Sequence, residues 1–184
     1  PMLFRTTAEE SLFILNIHHI IADGWSLGVW LKELSLAYDD LINDLEPELP
    51  RLAVQYGDYA AWQRDWMARQ DFSEHASYWR RMFPGPLPVL QLPADFTRPA
   101  ELTHAGAHEP LRLSENLTAA VNALSHAKGC TPFATLMAAY LVLLHRYSGQ
   151  ETIIVGMPHA NRKGVETETL VGFFLNMLPL RGDL

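Results

Sequence analysis

The chain has 184 residues, 48% of them hydrophobic and 19% charged, with a formal charge of −7. That is the composition of an ordinary soluble globular protein of one domain or two small lobes. The acidic balance argues against a nucleic-acid partner, which calls for a basic face. No apolar run approaches the length of a membrane span. Cys130 is the single cysteine, so no internal disulfide can form, and a reduced, cytoplasmic setting fits. Both ends, Pro1-Met2-Leu3-Phe4 and Leu180-Arg181-Gly182-Asp183-Leu184, look cut from a longer chain.

In chain order, Leu12 to His19 reads as a buried strand rich in Ile and Leu. On a regular strand His18 and His19 would point to opposite faces. Ala22-Asp23-Gly24 is a turn, and Ser26 is placed to cap the helix after it. That helix carries Leu27, Trp30, Leu31, Leu34, Tyr38 and Leu41 on one stripe. After an acidic, proline-containing loop, a second helix is expected over about 54–69 and a third over 73–82. Pro84, Pro86, Pro88, Pro93 and Pro99 break regular structure. They suggest a crossover at 89–110 between a first lobe, 1–88, and a second, 111–184. Leu111-Arg112-Leu113 reads as the end of a short strand. Ser114 starts a helix to about Lys128, closed by Gly129. Thr131-Pro132 opens the next helix, which runs to about Tyr147 and stops at Gly149. It is apolar on nearly all sides, which implies burial. A strand over 152–156, a polar loop over 157–169 holding Arg162 and Lys163, and a final strand over 172–180 complete the α/β pattern. No repeat or low-complexity tract interrupts it.

The segment that points to chemistry is His18-His19-Ile20-Ile21-Ala22-Asp23-Gly24. Imidazole titrates near neutral pH and suits proton transfer from an amine or hydroxyl. Gly24 would let the chain turn tightly. Asp23 can hold the turn by an ion pair or by backbone hydrogen bonds. Two histidines alone would read as packing residues; their placement between a strand and a capped helix favours a site. Gly24-Trp25-Ser26-Leu27-Gly28 formally matches the GxSxG elbow of serine hydrolases, although helix capping is the better reading of Ser26. A metal on His18, His19 and Asp23 is disfavoured, because the histidines diverge and no second ligand cluster has suitable spacing. Trp62, Trp66, Tyr78 and Trp79 read as core and interlobe packing. Cys130 reads as a packed small residue.

HHIIADG, continued by Trp25-Ser26, resembles the HHxxxDG signature of the condensation domains of nonribosomal peptide synthetases. Tyr56-Gly57-Asp58-Tyr59-Ala60-Ala61-Trp62 resembles that family's YxDYAxW segment. Gly172-Phe173-Phe174-Leu175-Asn176-Met177-Leu178-Pro179-Leu180-Arg181 resembles its GxFxNTxxLR strand. Leu92 to Pro99 and Gly156 to Arg162 also resemble family text. Met177 departs, standing where threonine is usual.

The resemblance implies a two-lobed, chloramphenicol acetyltransferase-like α/β sandwich, incomplete in this chain, with the histidine motif between the lobes. It implies peptide-bond formation between carrier-bound donor and acceptor thioesters. His19 would orient or deprotonate the acceptor amine, and His18 and Asp23 would be structural. Tyr56 and Asp58 would be more structural than catalytic. Motif positions Gly24, Trp25, Ser26, Trp62, Asn176 and Arg181 are carried over likewise. Beyond the resemblance, a structural ion pair between Asp23 and Arg181 is hypothesised. No cofactor would bind directly. Phosphopantetheine arms would arrive on donor and acceptor peptidyl carrier domains, beside an adenylation domain. Arg162 and Lys163 could meet a phosphopantetheine phosphate or remain solvated loop charges. The alternatives are an epimerisation domain or another acyltransferase of the superfamily, and a non-catalytic docking domain.

Overall fold

The computed structural model describes residues 1–97, 99–101 and 105–184. The chain forms two compact units, residues 1–76 with 157–178 and residues 77–156 with 179–184. This division differs from the lobes 1–88 and 111–184 suggested by the proline-rich break. Of the crossover expected at 89–110, residues 98 and 102–104 lie outside the described residues.

The first unit opens with a hairpin. Strand β1 (Met2–Arg5) pairs antiparallel with β2 (Ser11–Ile14), Met2 opposite Ile14 and Arg5 opposite Ser11. Thr7 holds the connection, its hydroxyl accepting from the amides of Glu9 and Glu10. β2 ends at Ile14, well short of His19. Its ladder ends there because Ile14 already lies opposite Met2, the first residue of β1. Further on, His18 Nδ1 accepts the Ile20 amide at 3.1 Å and caps a 3-10 turn, His19–Ile21. A side chain that takes a backbone amide offers an alternative to the strand ladder. The opposed-faces argument for the two histidines therefore falls with the strand.

Helix α1 (Gly24–Ile42) follows, and its cap is Asp23, not Ser26. Asp23 Oδ1 accepts from the Ser26 amide at 2.9 Å. A carboxylate satisfies an orphan amide there and suits the positive end of the helix dipole. The expected apolar stripe is present in α1 but largely unburied: Leu27, Leu31, Leu34, Tyr38 and Leu41 are exposed, while Trp30 stacks on Phe13 with ring centroids 5.7 Å apart. Helix α2 (Tyr56–Arg69) is fastened at its start by Asp58, whose Oδ2 accepts the Gln55 amide at 2.8 Å. Tyr59, Trp62 and Trp66 stack in succession along it. Helix α3 (Ser73–Met82) has the expected bounds. Asp71 accepts from the Ser73 amide and hydroxyl, and these bonds hold the Asp71 carboxyl below its ordinary range.

In the second unit the prolines keep 83–114 free of regular elements among the described residues, and no strand forms at 111–113. Helix α4 (Glu115–Ala127) is capped by Ser114, and α5 (Pro132–Ser148) by Thr131, whose hydroxyl accepts the Ala134 amide at 3.2 Å. Ser125 Oγ is buried and joins α4 to α5 through Thr135 Oγ1, 2.7 Å away. Leu141 and Leu144 of α5 and Ile153 form the core, with Leu90, Met137 and Val155 against them. Burial is one-sided: Phe133, Leu136, Tyr140, Val142, Leu143 and Tyr147 are exposed, contrary to the all-round burial expected. Cys130 is exposed as well, its sulfur 3.4 Å from Thr135 Oγ1.

Strand β3 (Thr152–His159) runs past the expected 152–156. A loop and a single turn, α6 (Val165–Glu168), replace the plain loop expected after it. Strand β4 (Asn176–Asp183) pairs with β3 and starts four residues later than expected. The cause is that the backbone of 172–174 is bonded by side chains instead of by a neighbouring strand. Among the described residues no single helix is long and apolar enough to cross a membrane.

Gly149 ends α5 at φ 69°, and its amide bonds to His145 O at 2.7 Å. A side chain is strained in that left-handed conformation by roughly 1–2 kcal/mol. Gly149→Ala is expected to lower the unfolding free energy by about that amount in urea titration; an unchanged midpoint would show that the turn is not held in this conformation.

Candidate active site

The site is built around a carboxylate. Asp23 is 3% exposed. Its Oδ1 accepts from the Ser26 amide (2.9 Å) and Arg162 Nη2 (3.1 Å) and lies 2.7 Å from the Ser26 hydroxyl, and its Oδ2 accepts from the Phe174 amide (3.1 Å). Burial disfavours the charged form, but the bonds from Ser26, Phe174 and Arg162 outweigh it. They hold the Asp23 carboxyl below the ordinary carboxylate range.

Arg162 is the counter-ion, its side chain 1% exposed. Nη2 also donates to Ser26 Oγ at 2.9 Å. Nη1 donates to the carbonyls of Thr167 and Leu170, the latter at 2.8 Å. The guanidinium lies 4.1 Å from the Phe174 ring centroid and 5.7 Å from that of Trp25. Trp25 Nε1 donates to Glu168 O at 2.8 Å, closing the same loop from its other end. The guanidinium thus serves as a post for the loop 162–170. That corrects both readings of Arg162, phosphate contact and solvated charge. Lys163 is exposed. It lines a cavity of about 770 Å³ with Tyr59, Trp62, Trp66 and Glu166.

Ser26 Oγ is fully buried. It lies 2.7 Å from Asp23 Oδ1 and 2.7 Å from Gly172 O, one of which takes its single proton, and it accepts from Arg162 and from the Gly172 amide. A hydroxyl so enclosed is no exposed nucleophile, and the hydrolase elbow is set aside. Tyr56 OH donates to Phe173 O at 2.7 Å, and the Tyr56 ring lies edge-on to Phe174. A Cβ on Gly172 would come within 2.1 Å of the Tyr56 ring, so only glycine permits this approach. Burial, with the Tyr56 phenol alongside, pushes the Tyr59 hydroxyl's pKa up.

His19 stands exposed on the 3-10 turn, its ring edge-on to Phe173 with centroids 5.3 Å apart. Of the expected residues, the fold therefore gathers His19, Asp23, Trp25, Ser26 and Tyr56. His18 shapes the turn. Gly24 is the first residue of α1 with open space where a side chain would go, so the tight turn expected to require it is not found. Asp58 caps α2, and Trp62 stacks between Tyr59 and Trp66. Asn176 Nδ2 makes only a long bond, 3.5 Å, to Phe174 O. The expected Asp23–Arg181 pair is replaced. Asp23 is neutralised by Arg162, while Arg181 Nε binds Asp183 (3.0 Å) and its Nη1 donates to Met82 O (3.1 Å). The roles missed are those of Arg162, weighed above only as a phosphate contact or solvated charge, and of Gly172, Phe173 and Phe174, quoted above only as motif text. A signal existed: a turn aspartate expected to be buried needs a cation, and the loop after β3 offers one ahead of a glycine and two aromatics.

The condensation domain family model matches residues 1–184, and the chain belongs to the condensation domain family. It is 49% identical over 182 residues to a linear gramicidin synthase of Brevibacillus parabrevis, covering 99% of this chain and 4% of that protein. Among solved structures it is similar to the SgcC5 protein of Streptomyces globisporus, with a TM-score of 0.75 and 32% identity over 91% of this chain and 37% of that one. It is also similar to a four-domain nonribosomal peptide synthetase bound to AMP and glycine, with a TM-score of 0.79, 26% identity, and coverage of 91% and 12%. The chain thus spans a small part of these relatives. Its elements are those of part of the chloramphenicol acetyltransferase-like α/β fold expected from the sequence.

Because the folded Asp23 carboxyl titrates low, its stabilisation is complete above the unfolded carboxylate's pKa and is lost as pH falls through the lower folded value. Asp23→Asn leaves Arg162 buried without its counter-ion, at a cost of about 3–5 kcal/mol near neutral pH. Denaturant titrations in steps down to pH 3 should show the gap between wild type and variant closing. A gap that stays constant with pH would mean Asp23 does not carry the charge.

Proposed function

We propose that the chain supplies the histidine centre of a condensation domain that joins carrier-bound thioesters in nonribosomal peptide synthesis. The observation that carries this reading is an exposed imidazole, His19, on a turn whose far end is immobilised by the buried Asp23–Arg162–Ser26 cluster. A proton-accepting group needs access to its substrate and a fixed direction of approach.

In this chemistry the acceptor amine attacks the donor carbonyl. The C–N bond forms, the C–S bond breaks, and the thiolate leaves on the donor arm. His19 orients the amine and takes the proton it sheds, which passes to the departing thiolate. No protein nucleophile is needed, since the donor is already activated. Orientation of bound reactants can supply on the order of 7–11 kcal/mol. The partners on this reading are donor and acceptor peptidyl carrier domains bearing phosphopantetheine, beside an adenylation domain, in the cytoplasm. The lobes 1–88 and 111–184 would be the parts of the full domain that the chain contributes. Similarity to a gramicidin synthase and to a multidomain synthetase supports this setting.

His19→Ala in the full-length protein, given loaded donor and acceptor carriers, should slow single-turnover peptide transfer by ~10²–10⁴-fold. Transfer at the wild-type rate would overturn the role of His19. An inverted stereocentre in place of a new peptide would assign epimerisation, and no chemistry with either carrier would assign docking.

A further inference from the structure

We propose that Phe173 is the positioning residue for the His19 imidazole and that Tyr56 acts through it. The idea rests on the proposed role of His19. Among the described residues, neither ring nitrogen of His19 is hydrogen-bonded, and Phe173 is the aromatic ring that meets it. His18 differs, its Nδ1 being fixed by the Ile20 amide. The direction of the His19 ring therefore depends on a side-chain contact, and that contact is only as rigid as the backbone beneath Phe173.

That backbone is held at three consecutive residues by three different side chains. The Gly172 amide donates to Ser26 Oγ of α1 at 3.0 Å, and the Gly172 carbonyl lies 2.7 Å from the same oxygen. The Phe173 carbonyl accepts from Tyr56 OH of α2 at 2.7 Å. The Phe174 amide donates to Asp23 Oδ2 at 3.1 Å. Phe174 buries its own ring, while Phe173 stays partly exposed beside the imidazole. A phenol that spends its proton on one main-chain carbonyl next to a glycine it nearly touches is a positioning device. Its benefit would be felt at His19, which it does not contact.

The test is single-turnover transfer in the full-length protein with loaded carriers, run as cycles with His19→Ala. Phe173→Leu should slow transfer about tenfold or more when His19 is present and by less than about twofold when it is absent, since residues acting as one unit are non-additive. Phe173→Tyr, which keeps the ring, should restore most of the rate. Tyr56→Phe deletes only the hydroxyl and should cost roughly two- to tenfold, the effect of one net hydrogen bond, again only with His19 present. Equal losses with and without His19 would reduce both residues to scaffold and overturn the proposal, as would full activity of Phe173→Leu. Failure of the underlying reading is seen separately, as wild-type transfer by His19→Ala itself.

Discussion

An aspartate and an arginine that share a dry space constrain each other more than any surface pair can. Each unpaired charge would cost several kcal/mol to bury, and the pair is tolerated only when geometry and further hydrogen bonds compensate. Here most of both groups is bonded, and only Arg162 Nε, among the described residues, is buried without a partner. Asp23 uses both oxygens, Arg162 uses both terminal nitrogens, and Ser26 sits between them. Much of the first unit follows. The start of α1 is fixed because Asp23 is its cap, the loop after β3 because Arg162 holds its carbonyls, and the approach to β4 because Gly172 and Phe174 are bonded by Ser26 and Asp23.

This arrangement separates rigidity from access. The Asp23, Ser26 and Arg162 side chains are buried, and the His19 imidazole is left at the surface. Asp23 stays ionised through hydrogen bonds instead of solvent, so it is not itself available to exchange protons near neutral pH. That division suits the proposed amide formation from a thioester, in which the activated carbonyl is supplied and direction is what the protein must add.

Features set by local chemistry were legible in the sequence. Ser114, Thr131-Pro132 and Gly149 mark helix ends because a hydroxyl, a fixed φ or a left-handed turn acts within a few residues, and the structure has them there. The motif order pointed to the family. What was not legible depended on distant partners. Apolar periodicity in α1 and α5 was real, yet it says nothing of which face is covered. The strand expected to reach His19 stops at Ile14, where its pairing with β1 ends at Met2, and the His18 ring then takes a backbone amide. Arg181 was chosen for Asp23 from a motif, whereas the true partner lies in a loop whose charges look solvated in one dimension. Ser26 was read as a cap; its neighbour three residues earlier has that role, and Ser26 is spent inside the cluster.

The most direct measurement is a double-mutant cycle on unfolding free energy, using Asp23→Asn, Arg162→Met and the combination. If the buried pair is the central constraint, the two substitutions should be coupled by roughly 1–3 kcal/mol, with the double variant less damaged than the sum of the singles. Additivity within about 0.3–0.5 kcal/mol would contradict it, because the two groups would then be stabilising the protein independently.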